Sequence, residues 1–393
     1  MKSGKSIIFI LALSLMLMTI LPQSSQADPL DNWTLRNSGI TYHLYGTTYA
    51  NCIFVAVGVF ANILTSPNGV DWTLRYEGSA HPVSYDLSSV TCGNDKFVSV
   101  GQLGTILTSS DGVVWDSSSF GSNWLRGVTY GNDKFVSVGA SGTILTSPDG
   151  VTWTSRTSGT TNGLRGVTYA NGTFVAVGAS GTILTSTNGE NWATQTAGDT
   201  HHLYGVTYGN GKFTAIGDSG TILTSSNGVT WTSRISGTTT PLYGITYGNG
   251  IFVAVGVVGT ILTSPDGVTW TSRTSGTVNW LGGVTYGNGQ FVAVGGFGTI
   301  LTNNVCTPLD PVRIWPAQYF TCIQTAYDAA IDGDTIQLQA LQFNEDIYFD
   351  HDISIDLRGG YDCSYTNNSS QTTINGSLTI SDGTVIVENI VIM

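Results

Sequence analysis

The chain has 393 residues, of which 50 are Gly and only 10% are charged, against about 25% in an ordinary soluble domain. With 41% hydrophobic residues, 10 Trp, 17 Tyr and 14 Phe, it is too apolar to be disordered. Only 10 Pro and the lack of a Gly-x-y period exclude collagen. The formal net charge of −12 repels phosphates and anionic lipid, which argues against nucleic-acid and acidic-membrane partners.

Residues 1–27 read as a secretory signal. Lys2 and Lys5 form a basic start, Ile7 to Leu21 an apolar core, and Ser25-Gln26-Ala27 a small-x-small cleavage site. The core is shorter than the roughly 20 residues that span a bilayer, which disfavours the alternative of a membrane anchor. The expectation is a secreted, periplasmic or cell-surface protein with no transmembrane segment after cleavage. Export permits disulfides, but five Cys (Cys52, Cys92, Cys306, Cys322 and Cys363) leave at least one thiol unpaired in a monomer. A bridge among the last three is expected, with its connectivity open, and no Cys/His spacing suggests zinc.

Residues 28–305 repeat. A Phe recurs at 54, 97, 135, 174, 213, 252 and 291, an Ile-Leu-Thr tripeptide begins at 63, 106, 144, 183, 222, 261 and 300, and a turn Trp stands at 33, 72, 115, 153, 192, 231 and 270. Each unit reads as four strands. In the fourth unit strand a is Leu164–Tyr169, strand b Phe174–Gly178, strand c Thr182–Ser186, and strand d starts near Trp192, with Asn171-Gly172 and Asn188-Gly189 as turns. Four short antiparallel strands in a unit of this length describe a β-propeller blade. Trp33 precedes the first a–b–c set and no turn Trp follows the last, so the N-terminal segment around Trp33–Arg36 supplies the final strand d. The ring then closes with seven blades and no open edge; an open solenoid would leave one strand orphaned.

The c–d turns read Ser147-Pro-Asp149-Gly-Val-Thr-Trp153 and Ser264-Pro-Asp266-Gly-Val-Thr-Trp270. This resembles the Asp-box of sialidase-type BNR repeats, with one residue fewer between Asp and Trp. The wider Val-Gly-x-x-Gly-Thr-Ile-Leu-Thr-Ser-x-Asp-Gly pattern is similar to the propellers of photosystem II assembly factors. The resemblance implies that the Asp binds turn N–H groups and the Trp packs between blades. Asn68, Asn188 and Asn227 replace the Asp in three copies, and Asn303-Asn304 lacks the box. Asn can make the same turn bonds, which suits a structural role.

Candidate functional residues are those at which the copies disagree. One residue after the first Leu of strand a, at the central channel, the chain reads Tyr45, Ser88, Arg126, Arg165, Tyr204, Tyr243 and Gly282. One residue before that Leu it reads His43, Asp86, Trp124, Gly163, His202, Pro241 and Trp280. The b–c tips are small or polar in blades three to five but apolar in the contiguous blades six, seven, one and two: Val257-Val258, Gly296-Phe297, Val59-Phe60 and Gln102-Leu103. Clustered apolar tips mark an interaction surface, and the long connection Gly78–Asp86 lies in the same sector. Tyr45, Trp124, Arg126, Arg165, Tyr204, Tyr243, Trp280, Phe60, Leu103, Val257, Val258 and Phe297 are the partner-binding candidates, for a protein or a glycan. The sialidase resemblance implies three Arg on a substrate carboxylate and a Tyr nucleophile activated by Glu. Here only Arg126 and Arg165 stand at channel positions, Arg36, Arg75, Arg156, Arg234 and Arg273 share one structural strand-d position, and Glu190 falls on the opposite face. No catalytic, cofactor or metal site is expected.

Residues 306–393 carry 12 acids against Arg313 and Arg358. The i, i+3, i+4, i+7, i+8 spacing of Ile323, Ala326, Tyr327, Ala330 and Ile331 predicts a helix over 322–332, ended by Gly333. Strands are predicted over 335–339, 346–349, 353–357, 372–374, 378–380 and 384–392. The run from Ile323 to Ile336 resembles the opening of pectate-lyase-like right-handed parallel β-helices, which implies a capping helix and two or three coils, too short a cleft for a lyase. Asp350, Asp352, Asp356 and Asp362 read as a solvated strand face, with calcium as the alternative. The sequence stops inside an apparent strand, so self-association through this module is a further expectation. The fold expected is all-β: a seven-bladed propeller closed by an N-terminal strand, plus a short right-handed parallel β-helix-like module. The function expected is binding or assembly without catalysis, with a carbohydrate-active or polysaccharide-binding protein, or a self-associating surface protein, as rivals.

Overall fold

Each repeat folds as its turn residues require. At the a–b turn of blade four, Asn171 (φ 48°) and Gly172 (φ 71°) both adopt the left-handed region, the geometry of a two-residue hairpin that matches strand twist. Strands Leu164–Ala170, Thr173–Gly178, Ile183–Ser186 and Ala193–Gln195 then pair antiparallel in that order. A computed structural model describes residues 29–31, 33–51, 53–76, 85–304, 312–315, 318–320, 323–339, 342–343, 345–361 and 371–393. The signal segment, Cys52, Cys306, Cys322, Cys363, Asp362 and most of the connection 78–86 lie outside these residues.

Seven four-stranded sheets form the ring. In the seventh, Leu281–Gly287, Gln290–Gly295 and Ile300–Asn304 are joined by Trp33–Arg36, with Trp33 opposite Asn303 and Arg36 opposite Ile300. The innermost strands of blades seven and one pack side by side, so the ring is closed. Every strand-b Phe, from Phe54 to Phe291, is buried. Phe174 lies between Tyr169 of strand a (4.4 Å between centroids) and Trp192 of the turn (6.3 Å). Trp153 packs against Val98 and Val100 of the preceding blade, so the turn Trp joins blades.

The c–d turns are held by their own side chains. Asp149 Oδ1 accepts the N–H groups of Val151 (2.9 Å) and Thr152 (2.7 Å), Ser147 Oγ accepts that of Gly150, and the Trp153 indole donates to the Gly150 carbonyl. Asn188 and Asn227 make the same bonds. The strand-d arginines are structural: each donates from Nε to a strand-c Thr hydroxyl, as Arg156 does to Thr146 (2.9 Å). Blades are tied by side chains that open strand b. Lys96, Lys134 and Lys212 donate to turn carbonyls of the next blade, and Gln290 donates to Asn68 across the closure. Glu190 pairs with Lys134 and Arg156.

In the C-terminal segment the helix spans Ile323–Ala329 and is shorter than the predicted 322–332. Ile331 is exposed, and the Gly333 N–H bonds instead to Ser354. Three ladders run parallel: Thr335–Gln339 with Ser354–Tyr361 and Thr384–Glu388, Gln342–Phe343 with Thr372–Ile374 and Ile390–Ile392, and Ile347–Phe349 with Leu378–Ile380. The predicted strand 384–392 is two strands, broken where Asn389 takes φ 56°. Val312–Ile314, Gln318–Phe320 and Gln342–Phe343 were not predicted. The helix closes over a core that includes Tyr327, Ile336, Leu357 and Ile374. The Glu345 carboxylate accepts the first helical N–H groups, of Ile323 and Gln324.

Turn N–H groups draw the Asp149 carboxylate down from 3.8 to about 2, chiefly through Thr152 and Val151, and bonds of the same kind lower Asp111 and Asp266. A folded-state value below the unfolded one gives stability that is present above about pH 4 and is lost as the pH falls toward about 2; exposure of the turns keeps it modest. Replacing Asp111, Asp149 and Asp266 together by Asn should preserve the fold and flatten the fall of the thermal midpoint across that window. An acid limb as steep as wild type would refute this role.

Gly220 (φ 70°) stands at a b–c tip where an added Cβ would lie 2.1 Å from the Thr238 carbonyl oxygen. Gly220→Ala should therefore lower the unfolding free energy by more than about 1 kcal/mol in urea titrations; an unchanged midpoint would show that the tip can yield.

Candidate functional site

The channel mouth is built by one backbone irregularity repeated seven times. In blade four Leu164 pairs with Gly178 and Gly166 with Val177, which leaves Arg165 as an extra residue. The same slip falls at Tyr45, Ser88, Arg126, Tyr204, Tyr243 and Gly282. A β-bulge re-aims a side chain out of the ladder, and all seven bulge residues line one cavity of about 610 Å³ together with Trp124, Val257 and Trp280. A larger groove of about 850 Å³ lies between the loops 120–123 and 155–162. Comparable grooves recur between later loops and are lined by repeated Ser, Gly and Thr, so the mouth is where the chain's individuality collects.

The mouth has two halves. On blades three to five, the Arg126 guanidinium lies 4.2 Å from the Trp124 ring centre and that of Arg165 lies 4.8 Å from the Tyr204 ring centre, distances at which a cation is held by the ring face. The Trp124 indole donates to Ser88 Oγ (2.6 Å), and the Tyr204 hydroxyl donates to Asp218 (2.8 Å). Burial, then the Arg165 charge, holds Arg126 below its ordinary value. Burial and the Asp218 bond push the Tyr204 hydroxyl up to about 12. On blades seven and one, Tyr45 and Trp280 stack at 5.6 Å, and His43 packs edge-on to Trp280 and Phe297.

Around the mouth stand the b–c tips. Phe60, Leu103, Val258 and Phe297 are 45–65% exposed and take φ of 51–56°. The left-handed region costs a non-glycine residue about 1–2 kcal/mol and is a true outlier for β-branched Val258. The equivalent residues of blades three to five are Ser141, Ser180 and Ser219. Residues just before strand a cap the tips of the preceding blade. The Phe297 N–H donates to His43 Nδ1 (3.0 Å), the Phe60 N–H to Asp86 (3.1 Å) and the Ser180 N–H to His202 Nδ1 (2.9 Å). Tyr42 packs edge-on to Phe60 at 5.3 Å.

The structure thus brings Tyr45, Trp124, Arg126, Arg165, Tyr204, Tyr243, Val257 and Trp280 into one cavity and places Phe60, Leu103, Val258 and Phe297 outside its lining, on the surrounding rim. The sequence assigns no roles to Ser88, Asp86, His43, Tyr42 and Asp218, although all but Tyr42 stand in the variable columns. Among the described residues no three His, Cys, Asp or Glu side chains converge to hold a metal ion, and no helix is long and apolar enough to cross a membrane.

No protein-family model and no curated protein matches the chain. Solved structures do, and they are propellers. YCF48 from Cyanidioschyzon merolae shares 16% identity over 69% of this chain and 98% of its own, with a TM-score of 0.56. A structure described as YCF48 bound to D1 peptide shares 19% over 70% and 97%, with a TM-score of 0.58. A catalytically inactive virginiamycin B lyase from Staphylococcus aureus, with quinupristin, shares 12% over 69% and 99%, with a TM-score of 0.61. At these identities the likeness establishes the propeller fold and spans binding proteins and an enzyme.

If the tips are solvated, relief of left-handed strain (about 1–2 kcal/mol) and the added unfolded-chain freedom of Gly (about 1 kcal/mol) nearly offset. Val258→Gly should then leave the unfolding free energy from urea titration within about 1 kcal/mol of wild type. A loss of about 1.5–3 kcal/mol, the worth of a buried Val, would show that this tip is core.

Proposed function

We propose that the protein is an exported, non-enzymatic binding or assembly module that holds a protein partner on the propeller face carrying the b–c tips. The observation that carries this reading is the arc of four exposed apolar tips in left-handed conformation, on contiguous blades, around an aromatic and cationic mouth. Backbone strain of this kind persists where surrounding structure enforces it, and it concentrates at functional positions. A protein of the same fold, YCF48, has been captured with a peptide. The signal-like 1–27 supports export. The bonds of the c–d turns support kinship with Asp-box repeats, and the three parallel ladders support a β-helix-like C-terminal module. A glycan reading draws on the stacked Tyr45 and Trp280 faces, which suit sugar rings. Self-association draws on Ile386, Val387 and Ile392, exposed on the last strands.

The test is selection of phage-displayed peptides on the immobilised protein. Wild type should enrich a consensus family, whereas Phe60→Asp, Val258→Asp and Phe297→Asp combined should enrich none while keeping the thermal midpoint. Undiminished enrichment by the triple variant, or enrichment of nothing by wild type while a glycan array gives hits, would overturn the proposal.

A further inference from the structure

We propose that Arg126 and Arg165 form a carboxylate subsite at the channel mouth, which takes the free C-terminal end of a partner peptide. The inference rests on the protein-binding role proposed for this face and specifies what enters it.

The two arginines sit on adjacent blades at the same bulge register, so they reach the cavity at the same depth. They are like charges, and each is only partly exposed. Apart from the ring faces of Trp124 and Tyr204, neither guanidinium has a hydrogen-bond or ion-pair partner among the described residues. The repeat does supply partners elsewhere, since Arg36, Arg75, Arg156, Arg234 and Arg273 each bond to a Thr hydroxyl. Nor are the acids of the mouth spent on the arginines. Asp218 accepts from Tyr204, and Asp86 accepts from the Phe60 N–H and the Gln102 amide. His43 and His202 accept tip N–H groups. Two unpaired guanidiniums in a partly dehydrated pocket match a carboxylate, which each can engage through paired N–H groups.

The remaining lining specifies what accompanies that carboxylate. Tyr45, Tyr243, Val257 and Trp280 offer apolar and aromatic surface across the same cavity, suited to the side chain of a terminal residue. Seven adjoining strands close the channel laterally, so a ligand arrives along the axis and end-on. A chain terminus does this without a sharp reversal, and the residues before it then pass over the rim.

The test uses the full chain labelled with ¹⁵N, titrated with N-acetyl-phenylalanine and, separately, with its N-methylamide, reading the indole N–H signals of Trp124 and Trp280. The acid should produce saturable shifts and the amide should bind at least about tenfold more weakly. Arg126→Gln with Arg165→Gln should lose the acid by a similar factor with an unchanged thermal midpoint. Equal binding of acid and amide, or indifference to the arginine changes, would overturn the subsite. Tighter binding of galacturonate would place the carboxylate on a glycan, and tighter binding of inorganic phosphate would replace carboxylate by phosphate; either overturns the peptide terminus. The rim triple variant separates the two proposals. If it leaves binding of the acid intact but abolishes peptide selection, both stand; if peptide selection survives it while the acid needs the arginines, the rim reading fails and the subsite holds.

Discussion

The ring depends on backbone meeting backbone at the channel wall. A Cβ added to Gly166 would sit 2.8 Å from the Tyr204 carbonyl oxygen. The corresponding separations are 2.8 Å for Gly127 and Arg165, 2.9 Å for Gly205 and Tyr243, 2.7 Å for Gly244 and Gly282, and 2.9 Å for Gly283 and Tyr45. Six of the seven innermost strands therefore lay the carbonyl of the bulge residue over a glycine of the preceding blade, where an added side chain would press on backbone. The bulge side chain itself is released from packing and turns into the channel. One local distortion thus sets the inner circumference and frees seven positions to vary, which is why the mouth can carry Arg, Tyr, Ser and Gly on a common scaffold. Blade two departs at Ser89, whose hydroxyl is engaged by the Val128 N–H and whose carbonyl accepts from Ser99.

Departures from the repeat elsewhere come with local adjustments. At the far end of strand a, a Cβ on Gly131 would lie 2.2 Å from the Tyr169 ring, and Gly209 and Gly248 face Tyr247 and Tyr286 in the same way. Where blade two has Cys92 instead of Tyr, blade one has Ala50 instead of Gly, and the two pack in one cluster. Ala170 against Tyr208 shows that the pairing is a preference and not an absolute rule. At the b–c tip, six blades place a Gly whose Cβ would meet a carbonyl oxygen at 2.0–2.2 Å, whereas blade one has buried Ala61 at φ 53°. That blade is followed in sequence by the connection lengthened by four residues.

These couplings explain what could be read in the chain and what could not. Ring closure was legible because Trp33 carries the turn signature out of phase with the first a–b–c set, and phase survives without coordinates. The variable column containing Arg126, Arg165 and Tyr204 was legible for the same reason. The bulge that points those residues inward was not, since a one-residue slip leaves the apolar pattern of Leu164 and Val167 intact. The left-handed tips were hidden more thoroughly, because Val and Phe are residues that propensity assigns elsewhere. In the C-terminal segment, Thr335–Gln339 and Thr372–Ile374 announced themselves by composition. Gln342–Phe343 and Val312–Ile314 are too short to carry a period, and they exist through partners distant in sequence, Thr372–Ile374 and Thr335–Gln339. Strands that owe their pairing to non-local contacts leave little local trace.

The two variable columns are not independent of each other. The arginines belong to blades three and four, and the tips of blades three, four and five are Ser141, Ser180 and Ser219, which stand small beside the cations. The bulky tips Val258, Phe297, Phe60 and Leu103 occupy the remaining arc, on the side of the stacked Tyr45 and Trp280. Had the tips varied freely, an apolar residue beside the arginines would cost no more backbone strain than one opposite them, since every tip has the same φ within a few degrees. Under the proposed function, a single ligand that places its charge over blades three and four and its apolar length across blades six, seven, one and two would meet both columns at once and account for this segregation.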